Sequence, residues 1–229
     1  MVFEVLKELL FPRKCVFCGG ILSRNGSGIC HTCRTGLPEY QDERYLPKLD
    51  GCCVLWYYEE KVRESLLRFK FFNRPDYAQV YGPILAMKIR LRFPDAELIT
   101  WVPVSGKRLK ERGYDQSELL AQAAAKELDI PAVRLLEKHR NNPAQSGIED
   151  AGARKDNVRD AYRVCGDAAG KRMVLVDDIL TTGATAGECA RMLRNAGAAK
   201  VYLAAAASGR GSKETEQPCT GKSGQVSTY

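Results

Sequence analysis

Histidine is almost missing from this sequence: its 229 residues include two, His31 and His139. An acid–base site built on imidazole has little to draw on, and no general base stands out; Glu111 and Asp178 stay open for that role. Long apolar runs are missing as well. No stretch approaches the roughly 18 apolar residues of a membrane span. Glu4, Lys7 and Glu8 interrupt the apolar residues of the start, Met1 to Pro12, so no core for an export signal is expected there. Val2, Phe3, Leu6, Leu9 and Leu10 instead share one helical face, which predicts an amphipathic helix packed on its own protein, with membrane contact the lesser alternative. Internal repeats are absent. Gly221-Lys222-Ser223 suggests a phosphate loop, but position 216 is Glu216 and not the required glycine.

What is there is more specific. The length allows one mid-sized domain and a small accessory module. A net charge of +7 suits an anionic partner, whether polyphosphate, nucleotide or nucleic acid. Cysteine is plentiful, nine in all, and the odd count argues against a disulfide framework. Cys15 and Cys18 form one Cys-x-x-Cys pair, and Cys30 and Cys33 form another. Two such turns close a tetrahedron of thiolates around Zn²⁺. A segment of about 25 residues buries too little apolar surface to fold alone, and the metal supplies the deficit. Four sulfurs leave no open position, so this zinc is expected to be structural; two redox-active pairs are the alternative. His31 is expected merely to sit at the turn, and Cys52 and Cys53 to be core thiols. Reduced cysteines predict a cytoplasmic protein.

The expected organisation is an N-terminal helix and four-cysteine zinc module over 1–48, an α/β domain over 49–207, and a disordered polar tail over 208–229. Strands are expected at 53–58, 97–104, 132–136, 161–165, 173–176 and 201–207. Helices are expected at 62–72, 77–93, from Asp115 or Ser117 to Leu128, and 183–195. The alternation implies a mostly parallel sheet flanked by helices. Residues 38–47 look like a linker, 107–112 like a basic loop, and the long polar stretch 139–157 like a lid.

One segment concentrates the chemistry. Val174-Leu175-Val176 ends a buried strand, Asp177 and Asp178 follow, and Thr181-Thr182-Gly183-Ala184-Thr185 opens a helix. Ligands of open α/β sheets bind beyond the carboxyl ends of strands. A helix N-terminus offers free N–H groups to phosphate, Gly183 permits close approach, and the threonines add hydroxyls. The acidic pair lies where a ribose diol would lie, one sugar away, and can hold Mg²⁺ through water.

This pattern resembles the phosphoribosyltransferases. The resemblance implies 5-phosphoribosyl 1-pyrophosphate (PRPP) as ligand, with Thr181 to Thr185 on the 5-phosphate and Asp177 and Asp178 on the ribose hydroxyls. A closer resemblance is to the ComF family of competence-associated, phosphoribosyltransferase-like proteins. It rests on the Cys pairs, Leu67 to Phe71, Val102-Pro103-Val104, Arg108 to Gln116, Gln145-Ser146-Gly147 with Arg154 and Asn157, and the acidic segment. Asp115 stands where the family is expected to have Asn, and Tyr162 where Phe is usual. The implied fold is the type I phosphoribosyltransferase fold with a small zinc ribbon. The implied reaction is Mg²⁺-dependent displacement of pyrophosphate from ribose C1, with Ser105, Gly106, Lys107 and Arg108 nearest the pyrophosphate and Arg140 and Arg154 bracketing the lid. Residues 52–75 would form the hood over an acceptor that the sequence does not identify. The alternative is a non-catalytic nucleotide- or single-stranded-DNA-binding competence factor that keeps the fold.

Overall fold

The computed structural model describes residues 12–23, 26–139 and 161–210. The N-terminal helix expected over most of 1–12, the lid with Arg140 and Arg154, and the tail beyond 210 lie outside the described residues.

Four strands form one parallel sheet: β1 (Gly51–Tyr57), β2 (Leu98–Trp101), β5 (Arg172–Leu180) and β6 (Lys200–Ser208), in the order β1-β6-β5-β2. A separate antiparallel pair joins β3 (Leu136–Lys138) to β4 (Tyr162–Val164). The helices are α1 (His31–Gly36), α2 (Glu60–Phe71), α3 (Ala78–Arg92), α4 (Gly106–Arg112), α5 (Gln116–Leu128) and α6 (Ala184–Asn195). Side chains of a strand alternate between faces, so β5 sends Val174 and Val176 to one core and Met173 and Leu175 to the other. The first core is covered by α2, α3 and α5, the second by α6 and the β3–β4 pair. Between α3 and α5 the backbones approach so closely that a Cβ on Gly82 would lie 2.4 Å from the Ala123 Cβ.

Five expectations change. Residues 107–112 are helical, because Ser105 caps α4 through the Arg108 N–H and left-handed Gly113 ends it. This helix buries no residue, so it leaves no apolar period to read. The strand expected at 132–136 falls on 136–138: Ala132 makes a single bridge to Ile99, and the chain then leaves the sheet to pair β3 with β4. The acidic pair lies within β5, not after it, because Asp177 pairs with Ala205 and the ladder continues to Leu180 opposite Ser208. Ser208 is accordingly a buried strand residue and not part of the tail. Finally, the linker is packed. Glu39 bridges Trp56, the Tyr40 N–H donates to the Leu55 carbonyl, the Tyr57 N–H donates to the Pro38 carbonyl, and Tyr40 and Leu46 are buried.

Candidate ribose-phosphate site and zinc knuckle

Cys15, Cys18, Cys30 and Cys33 bring their sulfurs within 4.8 Å of one another, and none is in a disulfide. Zn–S bonds of about 2.3 Å in a tetrahedron put sulfurs about 3.8 Å apart; Cys18 and Cys30 lie at 3.7 Å. The donor set fits structural zinc. Burial raises the Cys15 thiol, but the backbone N–H groups of Cys18, Cys30 and Phe17 and the Cys18 thiol outweigh it and bring the group down to about 6. Burial and the neighbouring thiols push Cys33 well up. The knuckle is not a free appendage. Phe17 is 1% exposed and meets Trp56 edge to face at 5.2 Å. Arg68 donates to the carbonyls of Val16 and Phe17 at 3.1 and 2.7 Å, and the Ser65 hydroxyl also reaches the Val16 carbonyl. His31 starts α1 within the second pair, while Cys53 is a core thiol that burial raises to about 12.

β5 delivers Asp177 and Asp178 near its carboxyl end. The Asp178 carboxylate meets the Lys70 ammonium at 3.0 Å, and both side chains are largely shielded from water. Asp177 accepts from the Asp178 N–H at 2.9 Å and the Ser117 hydroxyl at 3.3 Å. Burial and then the Asp178 charge hold Asp177 far above the usual carboxylate range, with the Lys70 charge acting against them. Beyond β5, Thr181 and Thr182 are exposed, and the Thr182 hydroxyl accepts from the Ala184 N–H at 3.3 Å. Gly183 caps α6 at φ +79°, a conformation that suits glycine. A Cβ there would also lie 2.4 Å from the Leu46 Cδ2.

Because β2 neighbours β5, Ser105 to Arg108 emerge at the same sheet edge, the Val102 N–H donating to the Val176 carbonyl. Ser105 is nearly buried as the α4 cap, whereas Gly106, Lys107 and Arg108 are exposed, and Lys107 leans towards Glu111 at 3.9 Å. Arg108 acts electrostatically across the site. Burial and then the Arg108 charge lower the Lys138 ammonium, with Asp177 opposing. The Arg112 guanidinium, lowered by burial, sits 4.8 Å over the Phe71 ring and donates to Gln116 at 2.8 Å. Asp115 is 6% exposed and caps α5, accepting from the Ser117 and Glu118 N–H groups with one oxygen and from the Val104 N–H with the other. Its carboxyl group thus faces backbone donors, and its charge also acts on Arg112. Burial still pushes it up to about 6.

The acidic pair, the small-residue loop and residues 105–108 all lie at the carboxyl ends of the neighbouring strands β5 and β2. Local pattern does not bring Lys70, Ser117 or Lys138 to this site. Lys70 lies in the Leu67–Phe71 motif, which is a signal; Ser117 and Lys138 reach it only through long-range packing. Two clefts lie away from this edge, beside the knuckle: one of 670 Å³ under Lys14 and Val80, and one of 430 Å³ between Cys18 and Arg68.

Residues 115–221 match the phosphoribosyl transferase domain family, and residues 6–44 match the double zinc ribbon domain family. The fold is thus of the type I phosphoribosyltransferase class, with an N-terminal double zinc ribbon. The particular relatives are proteins named for competence and DNA utilization, and the chain is their homologue. It is 26% identical to Competence protein F of Haemophilus influenzae over 222 residues, 84% of this chain and 96% of that one. Competence protein ComFC of Bacillus subtilis is 27% identical over 192 residues, 81% of this chain and 73% of its own. DNA utilization protein YhgH of Escherichia coli K12 is 29% identical over 153 residues, 64% of this chain and 66% of its own. Among solved structures, the glutamine PRPP amidotransferase from B. subtilis complexed with ADP and GMP matches 61% of this chain and 30% of its own, at 27% identity and a TM-score of 0.43. A purine phosphoribosyltransferase from Pyrococcus horikoshii Ot3 matches 59% of this chain and 73% of its own, at 22% identity and a TM-score of 0.36. No helix among the described residues is long and apolar enough to cross a membrane.

Proposed function

We propose that this protein binds PRPP, or a related ribose phosphate, at the carboxyl end of β5 and transfers the phosphoribosyl group in the cytoplasm, in a process tied to DNA uptake or nucleotide metabolism. The observation that carries this reading is the acidic pair near the carboxyl end of a central parallel strand, whose last residue, Leu180, is followed by a Thr/Gly loop that opens a helix. The loop Thr181–Thr185 takes the 5-phosphate through its N–H groups and hydroxyls. Asp177 and Asp178 accept from the ribose hydroxyls, the diol competing with Lys70 for Asp178. The C1–O bond to pyrophosphate breaks, its electron pair leaving with pyrophosphate, and an acceptor bonds C1 through an oxocarbenium-like state. Ser105 and Gly106 offer backbone N–H groups to pyrophosphate, and Lys107 and Arg108 offer cations. Mg²⁺, held through water by the two carboxylates, would neutralise part of the pyrophosphate charge. Residues 1–48 then serve as the zinc-held module and 49–207 as the transferase domain.

Calorimetric titration with PRPP and Mg²⁺ tests the reading. Binding by the native chain, weakened at least about tenfold in Asp177→Asn/Asp178→Asn, is expected; no binding by the native chain would refute it.

A second reading, single-stranded nucleic-acid binding without turnover, is favoured by Lys14, Lys61, Arg68, Arg74 and Tyr77 around the 430 Å³ cleft. It predicts oligonucleotide anisotropy that falls steeply with salt. A flat response across the salt series removes it.

A further inference from the structure

The chain between the zinc knuckle and β1 lies against the loop Thr181–Thr185. From Pro38 it crosses the carboxyl ends of three strands. Its first residues pair with β1. Asp42 then accepts from the Tyr57 hydroxyl at 2.9 Å. Arg44 comes next, and its Nη1 donates at 2.8 Å to the Thr181 carbonyl and at 2.8 Å to the Ser208 hydroxyl. One guanidinium nitrogen thereby ties the end of β6 to the residue that follows β5. Buried Leu46 packs against Gly183, where no side chain fits.

We infer that Arg44 is a positioning residue for the loop Thr181–Thr185, so that affinity for a 5-phosphate depends on this strap. The inference rests on the ribose-phosphate reading above. Its physical core is the geometry of the peptide group. The described residues contain no cis peptide bond, and in a trans peptide the carbonyl and the N–H point in opposite directions. Holding the Thr181 carbonyl on Arg44 therefore aims the Thr182 N–H away from the strap, as an anion-binding loop requires. Within the loop the Thr182 hydroxyl accepts from the Ala184 N–H, while Thr181 and Thr182 are exposed and Arg44 supplies the side-chain bond to the Thr181 carbonyl. A fixed guanidinium at the rim also adds positive potential where a phosphate would sit.

The test is calorimetric titration of the full, zinc-loaded chain with ribose 5-phosphate and, separately, with inorganic pyrophosphate, for the native protein, Arg44→Gln and Arg44→Lys. Arg44→Gln should weaken ribose 5-phosphate about tenfold and change pyrophosphate by less than about twofold, because a charge-assisted bond on the loop is lost and the 105–108 turn is untouched. Arg44→Lys keeps one charged donor and should recover part of the loss. Unchanged ribose 5-phosphate affinity in Arg44→Gln overturns the inference, as does an equal loss for both ligands. A native chain that binds pyrophosphate but not ribose 5-phosphate counts against the ribose-phosphate reading itself and takes this inference with it. If Arg44→Gln does not fold, amide exchange at Thr182 in Arg44→Lys decides: faster exchange supports the role, and unchanged exchange with unchanged affinity overturns it.

Discussion

Asp115 joins two backbone segments with one carboxyl group. Its two oxygens hold the Val104 N–H and the first N–H groups of α5, which sets the 105–108 turn against the helix that supplies Ser117. The sequence shows an acidic residue at a helix start, and that much is legible. It does not show the second oxygen, which an amide could not replace: the NH₂ of Asn would face the Val104 N–H donor to donor. Burial makes this carboxyl harder to ionise, raising it to about 6 from an ordinary 3.8. A raised folded-state value means that its contribution to stability is complete below about pH 4 and is lost as pH rises through 6. Asp115→Asn carries no such term. The stability of the native chain relative to Asp115→Asn should therefore fall between pH 4 and pH 7, by on the order of 3 kcal/mol at most. Denaturant melts of both proteins across that range measure it. A difference that does not change with pH would show that burial does not control this group.

Among the elements, the zinc knuckle was the most legible and its packing the least. Two Cys-x-x-Cys pairs report a tetrahedral site because ligand spacing is a local property. Nothing local says that Phe17, between Cys15 and Cys18, enters the same core as Trp56, Tyr81 and α2. Metal loss should thus be felt beyond the knuckle. Chelation is expected to lower the thermal midpoint by roughly 6–20 °C, the loss of one buried aromatic from a domain of this size. Trp56 should lose its cover, and tryptophan emission should shift to the red. Emission that stays constant while zinc leaves would mean that the knuckle and the sheet are independent. The helix at 106–112 shows the converse. It is held by a serine cap and a left-handed glycine and buries nothing, so a reading based on apolar periodicity takes it for a loop. The same limit explains β5, where two adjacent carboxylates look like the end of a strand but the ladder to β6 runs on past them.

For the molecule as a whole, the sequence determined whatever depends on near neighbours: the strand–helix alternation, the four thiol ligands, and the acidic pair with its Thr/Gly loop. These are legible because 3.6-residue and two-residue periods, Cys-x-x-Cys spacing and helix-start chemistry all act within a few residues. Tertiary structure alone decided what acts on them. Lys70 reaches Asp178 from α2, Ser117 reaches Asp177 across 60 residues, and Arg44 reaches Thr181 across 137. The strap around Arg44 has the prolines and charges of a linker, and no local pattern marks it as part of a site. Its place is set by the register with β1 and by the buried Tyr40 and Leu46, because a parallel sheet collects the ends of distant strands along one edge.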